Sequence, residues 1–121
     1  MALPQCRPIQ VLSVMMQEFK LQSQCFLHHW NNYPDQRGLL FTVNNNATDS
    51  FQGAVMKAMG VVAGVSDMVF LHPDGAMLLE FKTEKGRQND RQKWWQKQVE
   101  AAGYQYIIIR SFDDFTALLD R

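Results

Sequence analysis

The stretch Met68–Lys82 constrains this chain most, because two apolar runs flank the tetrapeptide His72-Pro73-Asp74-Gly75. Proline presets φ at the first central position of a turn and glycine tolerates positive φ, so the two runs are predicted to close into a β-hairpin. With a two-residue loop at Pro73-Asp74, His72 pairs with Gly75, and counting back along both strands sets Asp67 across from Glu80. A three-residue loop with a glycine bulge suits the same residues and would turn Asp67 to the opposite face; spacing alone leaves both registers open. Within the second run Glu80 and Lys82 stand two apart, so the pleat sends both to one face while Leu79 and Phe81 enter the other.

The first register has a chemical consequence. Two facing carboxylates repel each other and weaken the sheet unless something positive lies between them, and a hard divalent cation meets that need. A solvated hairpin face could carry an ordinary Glu/Lys pair, and an E-x-K tripeptide by itself says little. Its neighbourhood says more: Gly64-Val65-Ser66-Asp67, the hairpin, Glu80-Phe81-Lys82, Lys85-Gly86-Arg87-Gln88 and a helix bearing Gln92 follow in one order.

Around the hairpin the order reads α, β, α, β, β, α, β, α. The first seventeen residues, with Pro4 and Pro8, form an irregular lead-in that passes into a helix. From Glu18 onward Phe19, Phe26 and Trp30 recur at helical spacing, while Glu18, Gln22, Cys25 and His29 line the adjacent stripe at the core edge. Leu39–Val43 reads as a strand and Asn44-Asn45-Asn46 as a turn. Ser50 is the expected cap of a short helix with Phe51, Ala54, Val55 and Ala58 on one face, ending at Gly60. Asn89 with Gln92 is a capping pattern for a helix running to Gly103; Tyr104–Ile109 is a strand. Ser111 with Asp114 opens a last helix with Phe112, Phe115, Leu118 and Leu119 as its buried stripe. Strand, helix, strand with about a dozen helical residues between is the crossover of a parallel pair. The expected fold class is therefore α/β, a mixed central sheet flanked by helices. A length of 121 residues fits one domain, read here as a lead-in over 1–17 and a domain over 18–121.

Charge sets a further limit. Lys+Arg and Asp+Glu both number 12, which excludes a globally basic nucleic-acid surface. A local patch remains, since Lys82, Lys85, Arg87, Arg91, Lys93 and Lys97 crowd one segment; a solvated helix face is the plainer reading of the last two. Cys6 and Cys25 are too few and too far apart for a disulfide framework or a zinc knuckle, which fits a reducing cytoplasm. The apolar run Ile9–Met16 is shorter than a membrane span and has no export-signal pattern, so no membrane partner is expected. His28, His29 and His72 lack zinc spacing and are read as surface or packing residues. Gly60–Gly64 lacks the lysine and hydroxyl residue of a phosphate loop, and of the adjacent Trp94 and Trp95 at least one belongs to the core.

Taken together, these motifs resemble the VRR-NUC domain, the virus-type replication and repair nuclease branch of the PD-(D/E)xK superfamily. The resemblance covers Glu18 to Phe115: Glu18 with Gln22, Phe41–Asn45, Gly64–Asp67, Glu80-Phe81-Lys82, Gln92, Gly103-Tyr104 and Ser111–Phe115. Ser66 stands where the superfamily name has proline, at a position that carries no ligand. The resemblance implies a restriction-endonuclease-like core and an Mg²⁺- or Mn²⁺-dependent endonuclease. Asp67 and Glu80 would be metal ligands with the Phe81 carbonyl, and Glu18 would lie near or on the metal. Lys82 would orient or deprotonate the attacking water. Gln92 matches the family's helix glutamine, although capping alone also explains it. Lys85, Arg87, Arg91 and Asn45 are the expected contacts to DNA backbone. The resemblance further implies branched DNA, such as a Holliday junction in repair, as substrate, and a homodimer as the working form. The rivals are a nucleic-acid-binding module of the same fold without catalysis, and an assembly subunit using Ile9–Met16.

Overall fold

The hairpin closes with a two-residue loop. In the computed structural model, which describes residues 3–43 and 49–120 with side chains from residue 13 on, His72 pairs with Gly75 and Met68 with Leu79. The glycine-bulge alternative is thereby excluded. Helix α1 spans Leu3–Asn32 and a short 3₁₀ turn Pro34–Gln36; strand β1 spans Leu40–Thr42 and helix α2 Ser50–Ala58. Strands β2 and β3 are Met68–His72 and Gly75–Phe81, followed by helix α3 over Asp90–Ala101, strand β4 over Gln105–Ile109 and helix α4 over Phe112–Leu119. The sheet has the order β1-β2-β3-β4, with β1–β2 and β2–β3 antiparallel, and it is mixed, as expected of a pair joined through a helical crossover. No helix among the described residues is long and apolar enough to cross a membrane.

The chain divides into two units. One comprises Leu39–Glu80 and Gln88–Ile107. Its buried residues include Leu40, Met68, Phe70, Met77, Leu78, Leu79, Val99 and Tyr106. The register places Phe70 opposite Met77 and Met68 opposite Leu79, so these four share one face of the hairpin. Val69 and Leu78 occupy the other, where Leu78, Ala76, Trp95 and Val99 line a cavity of about 430 Å³ against α3. Trp95 is half-buried and Trp94 is 53% exposed, which assigns the core role in that pair to Trp95.

The other unit comprises Met1–Gly38, Phe81–Arg87 and Ile108–Arg121. In it α1 packs on α4, with the His28 ring edge-on to Phe112 at 5.0 Å. Among the described residues its buried side chains are Cys25, His29, Phe81, Ile109, Phe115 and Leu118. The buried stripe of α1 is therefore the one through Cys25 and His29, with Glu18 and Gln22 half-buried along it. The aromatic stripe is not the core face: Phe19 is 64% and Trp30 41% exposed. His29 is buried at little cost because its Nε2 bonds the Gln36 Oε1 at 3.0 Å and its ring stacks on Tyr33.

Local signals decide the helix ends. Helix α1 starts at Leu3 rather than after an irregular lead-in, with Pro4 in its first turn, where a missing N–H breaks no helical bond. The cap of α2 is Asp49, not Ser50: its Oδ1 accepts the Gln52 N–H, and its backbone is extended. The apolar face expected on α2 buries nothing, and Phe51 is 80% exposed. Ser111 caps α4 by accepting the Asp114 N–H at 3.1 Å, with Phe115 and Leu118 buried. The asparagine turn at Asn44–Asn46 lies outside the described residues.

These assignments separate two phenylalanines sharply. Phe70→Ala should destabilise the protein by about 3–5 kcal/mol in urea unfolding, because it opens a cavity in a closed hairpin face. Phe51→Ala should change the same measurement by no more than about 0.5 kcal/mol.

Candidate active site

Every pair along the hairpin keeps one offset, so the step beyond Met68–Leu79 sets Asp67 opposite Glu80. Residues directly opposite in a sheet project to the same side, which here is the side of Val69 and Leu78, facing α3. The main chain at Asp67 is held by β1: its carbonyl accepts the Val43 N–H at 2.9 Å and the Thr42 hydroxyl at 3.1 Å. Just before it, the buried Ser66 donates its hydroxyl to the Met68 carbonyl at 3.1 Å. Gly64 makes the approach possible, since it has φ +90° and a Cβ there would lie 2.6 Å from the Arg91 carbonyl oxygen in the first turn of α3.

Glu80 is 2% exposed, and its two carboxylate oxygens face different donors. Oε1 accepts from Gln92 Nε2 at 2.8 Å; Oε2 accepts from the Tyr106 hydroxyl at a longer 3.5 Å. Gln92 serves two purposes at once. Its Oε1 accepts the Asn89 N–H at 3.0 Å while Asn89 accepts the Gln92 N–H at 2.9 Å, completing a capping box. With the amide oxygen committed to the cap, the nitrogen is directed at Glu80. The helix cap and the hydrogen bond to Glu80 are one arrangement in the fold.

Tyr106 has no counterpart among the residues singled out from sequence. Its hydroxyl accepts from Gln88 Nε2 at 3.2 Å, and the same nitrogen donates to Gln96 Oε1 at 2.9 Å. Its ring meets Trp95 edge-on at 6.0 Å. Burial raises the Tyr106 hydroxyl above the usual phenol range; the Glu80 carboxylate raises it further, the hydrogen bond from Gln88 works against this, and Asp67 adds to the rise. The phenol is thus a proton donor at neutral pH, within electrostatic reach of both acids. The signal that could have found this group is the four-residue spacing of Gln88, Gln92 and Gln96, a row of amides that starts just before the Asn89 cap and continues on α3.

Of the other expected site residues, Glu18, Phe81, Lys82, Lys85 and Arg87 belong to the unit that does not contain Glu80. Lys82, two residues beyond Glu80, is half-buried, and its N–H donates to the Ile109 carbonyl at 3.0 Å. Phe81 is fully buried, Glu18 is half-buried on α1, and Lys85 and Arg87 are exposed. Arg91, in the same unit as Glu80, is exposed at the start of α3, and Asn45 lies outside the described residues. Arg110 was not foreseen. Its Nη1 donates to the carbonyls of Thr83 at 2.8 Å, Glu84 at 3.3 Å and Gly86 at 2.6 Å, bracing the loop that follows Lys82 and carries Lys85. The three histidines pack or bond locally: His28 Nδ1 lies 3.2 Å from the Asn32 amide, and His72 Nδ1 accepts the Asp74 N–H at 3.1 Å.

Asp67 and Glu80 fit a hard divalent cation in donor chemistry, being two carboxylates opposed across a strand pair. Among the described residues no group of three or more His, Cys, Asp or Glu side chains gathers as a ligand cluster. Two carboxylates suffice for Mg²⁺, which keeps several waters and completes its shell with substrate phosphate.

No family model matches the chain, and no curated protein matches it. Among solved structures, a VRR_NUC domain protein is similar at a TM-score of 0.64 and 17% identity, over 85% of this chain and 84% of that one. The likeness establishes the fold, an α/β fold in which a mixed four-stranded sheet carries the hairpin.

Two measurements bear on this geometry. Gly64→Ala should cost about 1–3 kcal/mol in urea unfolding, because the added methyl meets main chain and the φ is left-handed. Alkaline pH should also destabilise the fold. Burial pushes the Cys25 thiol up from 9.0 to about 12, so its contribution to stability is complete below about pH 9 and is lost as pH rises toward 12. Tyr106, raised from 10.0, acts in the same direction. The urea midpoint should fall above about pH 9, and Cys25→Ala should flatten that fall.

Proposed function

We propose that this protein is an Mg²⁺- or Mn²⁺-dependent endonuclease that hydrolyses DNA phosphodiester bonds, with the site in a domain spanning 18–121. The observation that carries the reading is the hairpin register that sets Asp67 against Glu80, with Glu80 buried and hydrogen-bonded. A carboxylate pair so placed gains from a cation between the two acids.

Asp67 and Glu80 hold the ion, with the Phe81 carbonyl and Glu18 as further oxygen donors. A bound divalent ion supplies Lewis acidity at the phosphoryl oxygen. Gln92 keeps the Glu80 carboxylate from rotating. Lys82 orients the attacking water, accepts its proton or offsets charge developing on the phosphate. Lys85, Arg87, Arg91 and Asn45 contact backbone phosphates, so recognition follows DNA structure, not base sequence. Branched DNA of the four-way-junction kind is the substrate, the pathway is DNA repair in a reducing cytoplasm, and a homodimer brings two such sites to one junction. The fold shared with a VRR_NUC domain protein supports the nuclease class.

Purified protein incubated with labelled linear, flap and four-way-junction DNA should cut in Mg²⁺ or Mn²⁺ and stop on chelation. Asp67→Ala, Glu80→Ala and Lys82→Ala should each lower the rate by at least about a hundredfold while circular dichroism stays unchanged. Binding of junction DNA without cutting under every metal condition would instead identify a catalytically silent module of the same fold.

A further inference from the structure

Glu80 sits at the end of a directed chain of hydrogen bonds. Gln88 Nε2 has two hydrogens; one goes to Gln96 Oε1 at 2.9 Å and the other to the Tyr106 oxygen at 3.2 Å. An amide nitrogen only donates, so the Tyr106 oxygen acts there as acceptor and its own proton is turned to Glu80 Oε2. On the far side of the carboxylate, the capping box aims Gln92 Nε2 at Oε1, 2.8 Å away. Gln92 on Oε1 at 2.8 Å and Tyr106 on Oε2 at 3.5 Å together orient the carboxylate plane. Burial sharpens the effect, because at 2% exposure the group has almost no water with which to exchange these bonds. The same arrangement fixes the tyrosine: its ring is held edge-on by Trp95 at 6.0 Å.

We infer that Tyr106, oriented by Gln88, is a positioning residue that presets the Glu80 carboxylate for a divalent cation; this rests on the metal-dependent reading of the site. Partners that hold a ligating carboxylate without touching the ion set its affinity, and their loss typically costs about 10–100-fold in metal binding or activity. Tyr106 thus acts through Glu80 and not on the phosphate. The row Gln88, Gln92 and Gln96 is the sequence record of the device: Gln88, just before the Asn89 cap, donates to Tyr106 and to Gln96, and Gln92 in the first turn of α3 donates to Glu80.

The test compares wild-type protein, Y106F, Q88M and E80Q by calorimetric titration with Mn²⁺ and by cleavage of junction DNA across a range of Mn²⁺ concentrations. Y106F should bind Mn²⁺ about 10–100-fold more weakly yet recover most of the wild-type maximal rate at saturating Mn²⁺. Q88M should shift the same way by a smaller factor, and E80Q should fail to bind. Circular dichroism melts separate this from unfolding, since loss of folded protein lowers the binding stoichiometry and leaves the affinity of the remainder unchanged. Equal Mn²⁺ affinity in wild type, Y106F and Q88M overturns the positioning role while leaving the nuclease reading intact. Absence of Mn²⁺ binding in wild-type protein overturns both.

Discussion

A carboxylate that is 2% exposed has lost its water, and unless donors replace that water the penalty is several kcal/mol. Glu80 is such a group, and much of the surrounding structure supplies its donors. Helix α3 must begin at Asp90 so that the cap orients Gln92. The start of β4 must bring Tyr106 into range, and the hairpin must close in one register so that the acid faces α3 and not the Met77–Leu79 face. A shift by one residue would move Glu80 to the other face, away from both donors, and would bring Leu79 into its place. Sheet register, helix start and carboxylate are therefore one linked choice, and the folded state is selective because all three must be right together.

Much of this was legible in the sequence. The strands β2, β3 and β4 are short apolar runs bounded by strong turn residues, and the caps at Asn89 and Ser111 carry their partners three residues on. Such signals are local and survive without tertiary knowledge. The register was narrowed to two possibilities and no further, because Pro-Asp-Gly is compatible with both loops; pairing across the sheet decided it. Asp49 and Ser50 are both good caps in adjacent positions, and the choice between them is made by backbone conformation.

The misread faces have a different cause. In α1 the largest apolar residues form one stripe, yet the buried stripe is the smaller one through Cys25 and His29. Burying His29 depends on Gln36 and Tyr33, residues beyond the helix, so periodicity inside the helix does not reveal it. Phe51 on α2 is the converse, an apolar side chain at helical spacing with 80% of its surface exposed. Tyr106 and Gln88 were missed for the same reason as His29: each is an ordinary residue in its own segment, and only the fold brings phenol, amide and carboxylate to one point. Asp67, Glu80 and Lys82 stood out because strand alternation is a short-range rule, whereas a hydrogen-bonded chain drawn from three segments obeys none.

The brace made by Arg110 carries a thermodynamic consequence. Three carbonyls between Thr83 and Gly86 converge on one guanidinium nitrogen, so this connection is tied down by a charged donor within its own unit. A loop held in this way has already surrendered most of its conformational freedom in the unliganded protein. Any anion bound by the neighbouring cations would then lose correspondingly less entropy on association, and the rigidity would appear as slower dissociation without any additional contact.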